Sequence, residues 1–240
     1  MTLQAVTAVT SFLIAQDTVG EENLPIGSEP SGKMYNDMSM LNDKIPHNPL
    51  INSGHLMSVA SIYDGFRADR KFENYTRVLS KMIAGRRVGF NNEMCLAELV
   101  DCHKNYCLAF ILQEKGLIPE DADVEALIEF YTQICNIELT VEDIAVIAGT
   151  LANGGLQPET GHRCFNNPDS VKNTLSHMIS CGMNTYSGEW AFNMSLPAKS
   201  GYSGVTIMIV PNVCGVAVYH PDLDKHRNSI KGKRFLQRLV

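Results

Sequence analysis

The stretch Leu196-Pro-Ala-Lys-Ser-Gly-Tyr-Ser-Gly-Val-Thr-Ile-Met-Ile-Val-Pro-Asn-Val-Cys-Gly-Val-Ala-Val-Tyr-His220 carries the architecture of this chain. Residues 205–210 and 215–220 are runs rich in β-branched side chains, parted by Pro211-Asn212, and they read as neighbouring strands of a meander. Residues 190–196 read as a strand as well, separated from the next by Lys199-Ser200-Gly201. Pro221-Asp222 ends the β-rich part, and residues 228–240 read as a helix that covers the sheet.

Upstream the texture is helical. Apolar residues spaced three and four apart predict helices over 52–63, 72–82, 105–116, 124–135 and 141–152. Thr140 followed by Asp143 is an N-terminal capping pattern, and Gly154-Gly155 is a stop. Pro168 opens another helix that closes near Gly182. Residues 3–16 read as a short apolar helix, and 17–49, rich in Gly, Pro, Asn and Ser, as a long loop. A helical block, then a strand meander, then a covering helix make a two-layer α/β domain. Three strands are few for so many helices, so further N-terminal strands are expected to be missing.

Composition narrows the function. At 240 residues the chain suits one domain, and 45% apolar residues suffice for a core. A net charge of −6 leaves no basic footprint, so nucleic acid is not an expected partner. No apolar run is long enough for a bilayer. Ala5-Val-Thr-Ala-Val-Thr-Ser-Phe-Leu-Ile-Ala15 has the apolar character of a signal core, but no Lys or Arg precedes it, and a buried helix is expected instead. Seven irregularly spaced cysteines do not read as a disulfide framework, which points to an intracellular, mitochondrial or cytoplasmic, compartment.

Lys199-Ser200-Gly201 before a strand is the first chemical signal, because serine β-lactamases and penicillin-binding proteins line their site with such a triplet. Its surroundings extend the likeness. Glu29-Pro-Ser-Gly32, Pro46-His-Asn-Pro-Leu-Ile-Asn-Ser-Gly54, Thr150-Leu-Ala-Asn-Gly-Gly155, Ser180-Cys-Gly-Met183, Leu196-Pro-Ala-Lys-Ser-Gly201, Val210-Pro-Asn212 and Asn228-Ser-Ile-Lys-Gly232 occur in order. Together they resemble the serine-dependent glutaminases. The resemblance implies a single domain over residues 1–240, incomplete at its N-terminus, with a serine β-lactamase/penicillin-binding-protein-like α/β fold. It also implies a reaction: L-glutamine and water give L-glutamate and ammonia, with no cofactor or metal. In that family a serine attacks the amide while a lysine one helical turn later takes its proton, and water then releases the acyl group.

Carried over residue by residue, the substrate-binding positions are Asn52, Glu98, Asn105 and Tyr131, with Glu98 opposing the ligand's ammonium. Tyr202 falls where the family uses a backbone N–H in its oxyanion hole. The catalytic positions differ. Ala5 stands at the serine, Ala8 at the lysine and Asn184 at an assisting tyrosine; Tyr186, two residues on, is a possible substitute. No Ser-x-x-Lys or Thr-x-x-Lys occurs elsewhere. Loss of such a nucleophile costs on the order of 10⁶ in turnover, about 8 kcal/mol. The expectation is therefore an inactive or severely impaired member. The open readings are an active glutaminase whose nucleophile segment this sequence lacks, a glutamine-binding pseudoenzyme, a subunit forming homo- or hetero-oligomers with glutaminases, and a β-lactam-binding protein.

Each site residue has a plainer reading: a solvated Glu98, a helix-capping Asn52, a core Tyr131. Cys95, Cys102, His103 and Cys107 fit no standard zinc spacing. His47 reads as a structural hydrogen-bonder, and Met38, Met40 and Leu41 as loop residues for gating, subunit contact or plain packing.

Overall fold

The computed structural model describes residues 4–65 and 70–240. A helical block is built from α1 (Gln4–Val19), α2 (Asn52–Gly65), α3 (Lys71–Met82), α4 (Asn92–Val100), α5 (His103–Glu114), α6 (Val124–Cys135), α7 (Val141–Ala152) and α8 (Pro168–Cys181). The short strands β1 (Gly89–Phe90) and β2 (Ile137–Glu138) pair antiparallel within it. There follow α9 (Ser187–Met194), β3 (Ala198–Ser200), β4 (Val205–Val210), β5 (Cys214–Tyr219) and α10 (Ile230–Leu239). The expected helical block and antiparallel sheet are both present.

The sheet order is β3-β4-β5, with β4 central and buried nearly throughout. Alternation along β4 divides the core. Val205, Ile207 and Ile209 join the large cluster formed with the helical block, whereas Met208 joins Met183, Tyr186, Trp190 and Leu236 in a second cluster. The sheet is therefore packed on two faces, with α9 and α10 contributing to the second. Contact between α7 and β5 is close enough to require Gly215, because a Cβ there would lie 2.1 Å from the carbonyl carbon of Ala148.

Helix boundaries follow local chemistry. Thr140 and Asp143 form the expected capping box at the start of α7. Asn91, Asp123 and Asn167 accept backbone N–H groups at the starts of α4, α6 and α8.

Residues 190–196, expected as a strand, belong instead mostly to α9. Local bonding prevails over the aromatic, β-favouring composition. Met183 N–H donates to Ser187 Oγ at 2.9 Å, Ser187 Oγ donates to Asn184 O at 2.7 Å, and Trp190 Nε1 donates to Leu196 O at 2.8 Å. Ser195 then takes a left-handed conformation, φ 53°, that ends the helix. Only Ser187 and Trp190 are buried, and Phe192 is 88% exposed, so the period-two burial of a strand never arises. The third strand is the three-residue β3. A further helix, α4, was not separated by periodicity from its surroundings.

Candidate functional site

One cavity of about 230 Å³ lies between the helical block and β3. That is below the roughly 300–1,000 Å³ of drug-sized pockets and suits a small polar metabolite. Its wall gathers Ala8, Asn52, Glu98, Asn105, Tyr131, Asn184 and Tyr202, which are dispersed over almost 200 positions of sequence. Ala5 lies one turn before Ala8 on α1.

Each residue is placed by nearby bonding. Asn52 begins α2, and its N–H donates to Tyr35 O at 2.8 Å. The preceding loop is held by Asn48, whose Nδ2 donates to Glu29 O while its Oδ1 accepts from Leu50 N–H. Asn52 Nδ2 donates to Asn105 Oδ1 at 3.3 Å, tying α2 to α5. Pairing of β1 with β2 brings the start of α4 against the end of α6. Asn136, just beyond α6, also reaches the last turn of α4, where its Nδ2 donates to Glu98 Oε2 at 2.7 Å and aims its carboxylate. Tyr131 is buried, which raises its hydroxyl pKa well above the ordinary value and keeps it a neutral donor. Tyr202 packs against Tyr35 with ring centroids 4.3 Å apart, under the Arg227 guanidinium.

Beside β3, the end of α8 is pressed so closely that a Cβ on Gly182 would lie 1.7 Å from Ala198 O. Ser200 N–H donates to Gly182 O at 3.1 Å, and Ser200 Oγ donates to Asn228 Oδ1 at 2.6 Å. Asn228 Nδ2 donates in turn to Met183 O at 3.1 Å. Asn184 has φ 55°, a left-handed conformation that Asn tolerates well, and its Nδ2 donates to Asn228 Oδ1 at 3.1 Å. Tyr186 does not take its place in the wall. It lies in the 3₁₀ turn Asn184–Tyr186, and its hydroxyl donates to Glu189 Oε1 at 3.1 Å.

Two groups in this cavity escaped the residue-by-residue carry-over. His55, on α2, lies 4.8 Å from the Tyr131 ring, centroid to centroid. Its Nε2 shares a hydrogen bond of 3.1 Å with Ser11 Oγ, which also shares one of 3.0 Å with the Tyr75 hydroxyl. Burial, and secondarily the charge of Lys199, lower the His55 pKa to about 3, so the ring is neutral. Lys199, on β3, is 5% exposed, and burial lowers its pKa to about 8. Only the adjacency of Lys199 to Ser200 in a lactamase-like triplet hinted at its position; nothing in the sequence signalled His55.

The remaining predicted side chains are less central. His47 Nε2 and Ser39 Oγ lie 3.4 Å apart in hydrogen-bond contact. Met38 is half-exposed, Met40 buried, and Leu41 bridges to Ile45. Among the described residues, no group of three or more His, Cys, Asp and Glu is placed to hold a metal. None of their helices is long and apolar enough to cross a membrane.

Chemically, the cavity offers a carboxylate on α4, amide and phenol donors on α2, α5 and α6, and a buried amine on β3. Such a wall sets one negative and one positive group among neutral hydrogen-bonding groups around a small polar space. At Ala8 it presents a methyl group.

Comparison with known proteins identifies the family. The family model described as Glutaminase matches residues 1–240. The mitochondrial liver isoform of glutaminase from Mus musculus is 38% identical over 240 residues, covering 99% of this chain but only 40% of its own length. Glutaminase 1 of Halalkalibacterium halodurans is 35% identical over 244 residues, covering 99% of this chain and 78% of its own. A Bacillus subtilis glutaminase, solved as a covalent complex with 5-oxo-L-norleucine, superposes with a TM-score of 0.86 at 31% identity, covering 100% of this chain and 79% of that one. The serine β-lactamase-like α/β fold expected from the motifs is the fold of these neighbours.

Proposed function

Because this chain belongs to the glutaminase family, we propose that its cavity binds L-glutamine and L-glutamate and that the polypeptide hydrolyses glutamine extremely slowly or not at all. The observation that carries this reading is the Ala8 methyl in a wall that otherwise retains Asn52, Glu98, Asn105 and Tyr131. Hydrolysis by the family's route needs a hydroxyl nucleophile and a base on one helical face. In this reading those positions fall on Ala5 and Ala8, one turn apart on α1. Neutral His55 is a poor substitute base, since its Nε2 is engaged with Ser11, which is itself fully buried.

In its proposed role, Glu98 offsets the ligand's ammonium, while Asn52, Asn105 and Tyr131 supply donors to its carboxylate and side chain. The backbone N–H of Tyr202 faces the ligand's distal carbonyl. Residues 1–240 act as one glutaminase-like domain in this reading. Titration calorimetry with L-glutamine tests it directly: saturable heat at millimolar or lower concentration is expected, and none at that concentration would reject the ligand assignment.

Association with glutaminase subunits, as a homo- or hetero-oligomer, is the accompanying proposal. It is supported by the exposed apolar side chains Met94, Leu96 and Val100 on α4 and Phe110 on α5, helices that also carry Glu98 and Asn105. Co-expression with an active glutaminase is expected to yield a mixed complex; separate elution of the two chains would oppose it. The free cysteines Cys95, Cys102, Cys107, Cys135, Cys164, Cys181 and Cys214 support a reducing, mitochondrial or cytoplasmic setting.

A further inference from the structure

Lys199 is a buried cation with no buried anion paired to it among the described residues. Lys199 lines the cavity, and among the described residues the one acceptor of its Nζ is the carbonyl of its neighbour Ser200. Among the described residues no carboxylate forms an ion pair with it. The titratable group beside it, His55, is held neutral. An ammonium has three donors, and burying one without a counter-charge is costly. The acidic side chains in the wall are Glu98 on α4, already accepting from Asn136, and the exposed Asp101 just beyond it.

The cavity thus has a carboxylate on α4 and an unpaired amine on β3. At the second position where the family places an amine, Ala8, this chain has a methyl group, so Lys199 is the one buried cation in the wall among the described residues. We propose that the cavity selects L-glutamate over L-glutamine, the ligand's distal carboxylate providing the counter-charge that Lys199 lacks. The proposal rests on the reading that this cavity binds the glutamine–glutamate pair. An amide offers Lys199 a neutral oxygen, whereas a carboxylate offers a charged one, and hydrogen bonds between ionised partners are roughly twice as strong. No bond is made or broken. The chain becomes a receptor for the acid its relatives release, and its occupancy reports glutamate.

The lowered proton affinity of Lys199 agrees with this geometry, because a bound carboxylate would hold the proton that burial loosens. The test is calorimetry of the full chain with each amino acid at pH 7, on the wild type, Lys199→Met and Lys199→Gln. Wild type is expected to bind glutamate roughly tenfold or more tightly than glutamine. Either substitution is expected to bring the ratio close to one, chiefly by weakening glutamate. Equal or tighter binding of glutamine by the wild type would overturn the selectivity while leaving the ligand class intact. Binding of neither would instead reject the reading on which it rests. A preference for glutamate that survives both substitutions would show that another group supplies it. Should the substitutions prevent folding, the wild-type ratio alone still decides.

Discussion

His55 Nε2 and Ser11 Oγ share a hydrogen bond of 3.1 Å beneath the candidate site, joining α2 to α1 across 44 positions of sequence. Ser11 passes the network on to the Tyr75 hydroxyl, which also shares a 2.8 Å bond with Thr10 Oγ1. A superficially nucleophile-and-base pair is thereby committed to internal structure. Its serine is fully buried and serves as a strut between three helices.

Acid stability reads out this network. His55 has its folded pKa lowered to about 3 from 6.5, chiefly by burial. Between those values the unfolded chain binds a proton that the folded chain refuses, so stability falls as pH drops from 6.5 toward 3. His55→Gln keeps a polar group but cannot titrate. At pH 4 it is expected to close most of its stability deficit relative to wild type at pH 7, by about 2–3 kcal/mol. Urea melts at both pH values check this; a pH-independent difference would contradict it.

Lys199 behaves in the opposite range. Its folded pKa is lowered to about 8 from 10.5 by burial, so the protonated amine penalises the folded state below pH 8, and the penalty fades as pH climbs toward 10.5. Lys199→Met is therefore expected to be more stable than wild type at pH 7 by up to about 3 kcal/mol, with the gap narrowing in alkali. Comparing the two proteins at each pH removes the common contributions of the buried tyrosines and cysteines. Destabilisation by Lys199→Met at pH 7 would show that the amine has a stabilising partner.

Asn228 links β3 to the Met183–Asn184 segment by accepting from Ser200 and Asn184 and donating to Met183 O. It is fully buried, so Asn228→Ala strands several polar groups. A loss of about 2–4 kcal/mol is expected, with weaker amino-acid binding. Chemical denaturation and calorimetry on the same sample measure both; a change within about 0.5 kcal/mol would refute the linking role.

How far the sequence revealed this arrangement depended on whether each element's information was local. Helices α6 and α7 and strand β4 match their predicted limits, because periodicity, the Thr140–Asp143 cap and the Pro211 turn all lie within or beside them. Helix α4 was hidden because only Cys95 of it is buried while Met94, Leu96 and Val100 face outward, so its apolar residues do not mark a core face. At α9, Trp190 and Phe192 suggested a strand, whereas hydrogen bonds from Ser187 and the left-handed Ser195 set a helix. The proposed site residues were readable through family motifs. The network of His55 was not, since Ser11 and Tyr75 approach it only when distant helices pack.

Glutamate production from L-glutamine by the purified chain, followed by a coupled assay beside an active glutaminase, tests the central claim most directly. With methyl-bearing residues at positions 5 and 8, turnover is expected about 10⁶-fold below the active enzyme, indistinguishable from a blank. A rate of about 1 s⁻¹ or more, ordinary for enzymes, would contradict the account.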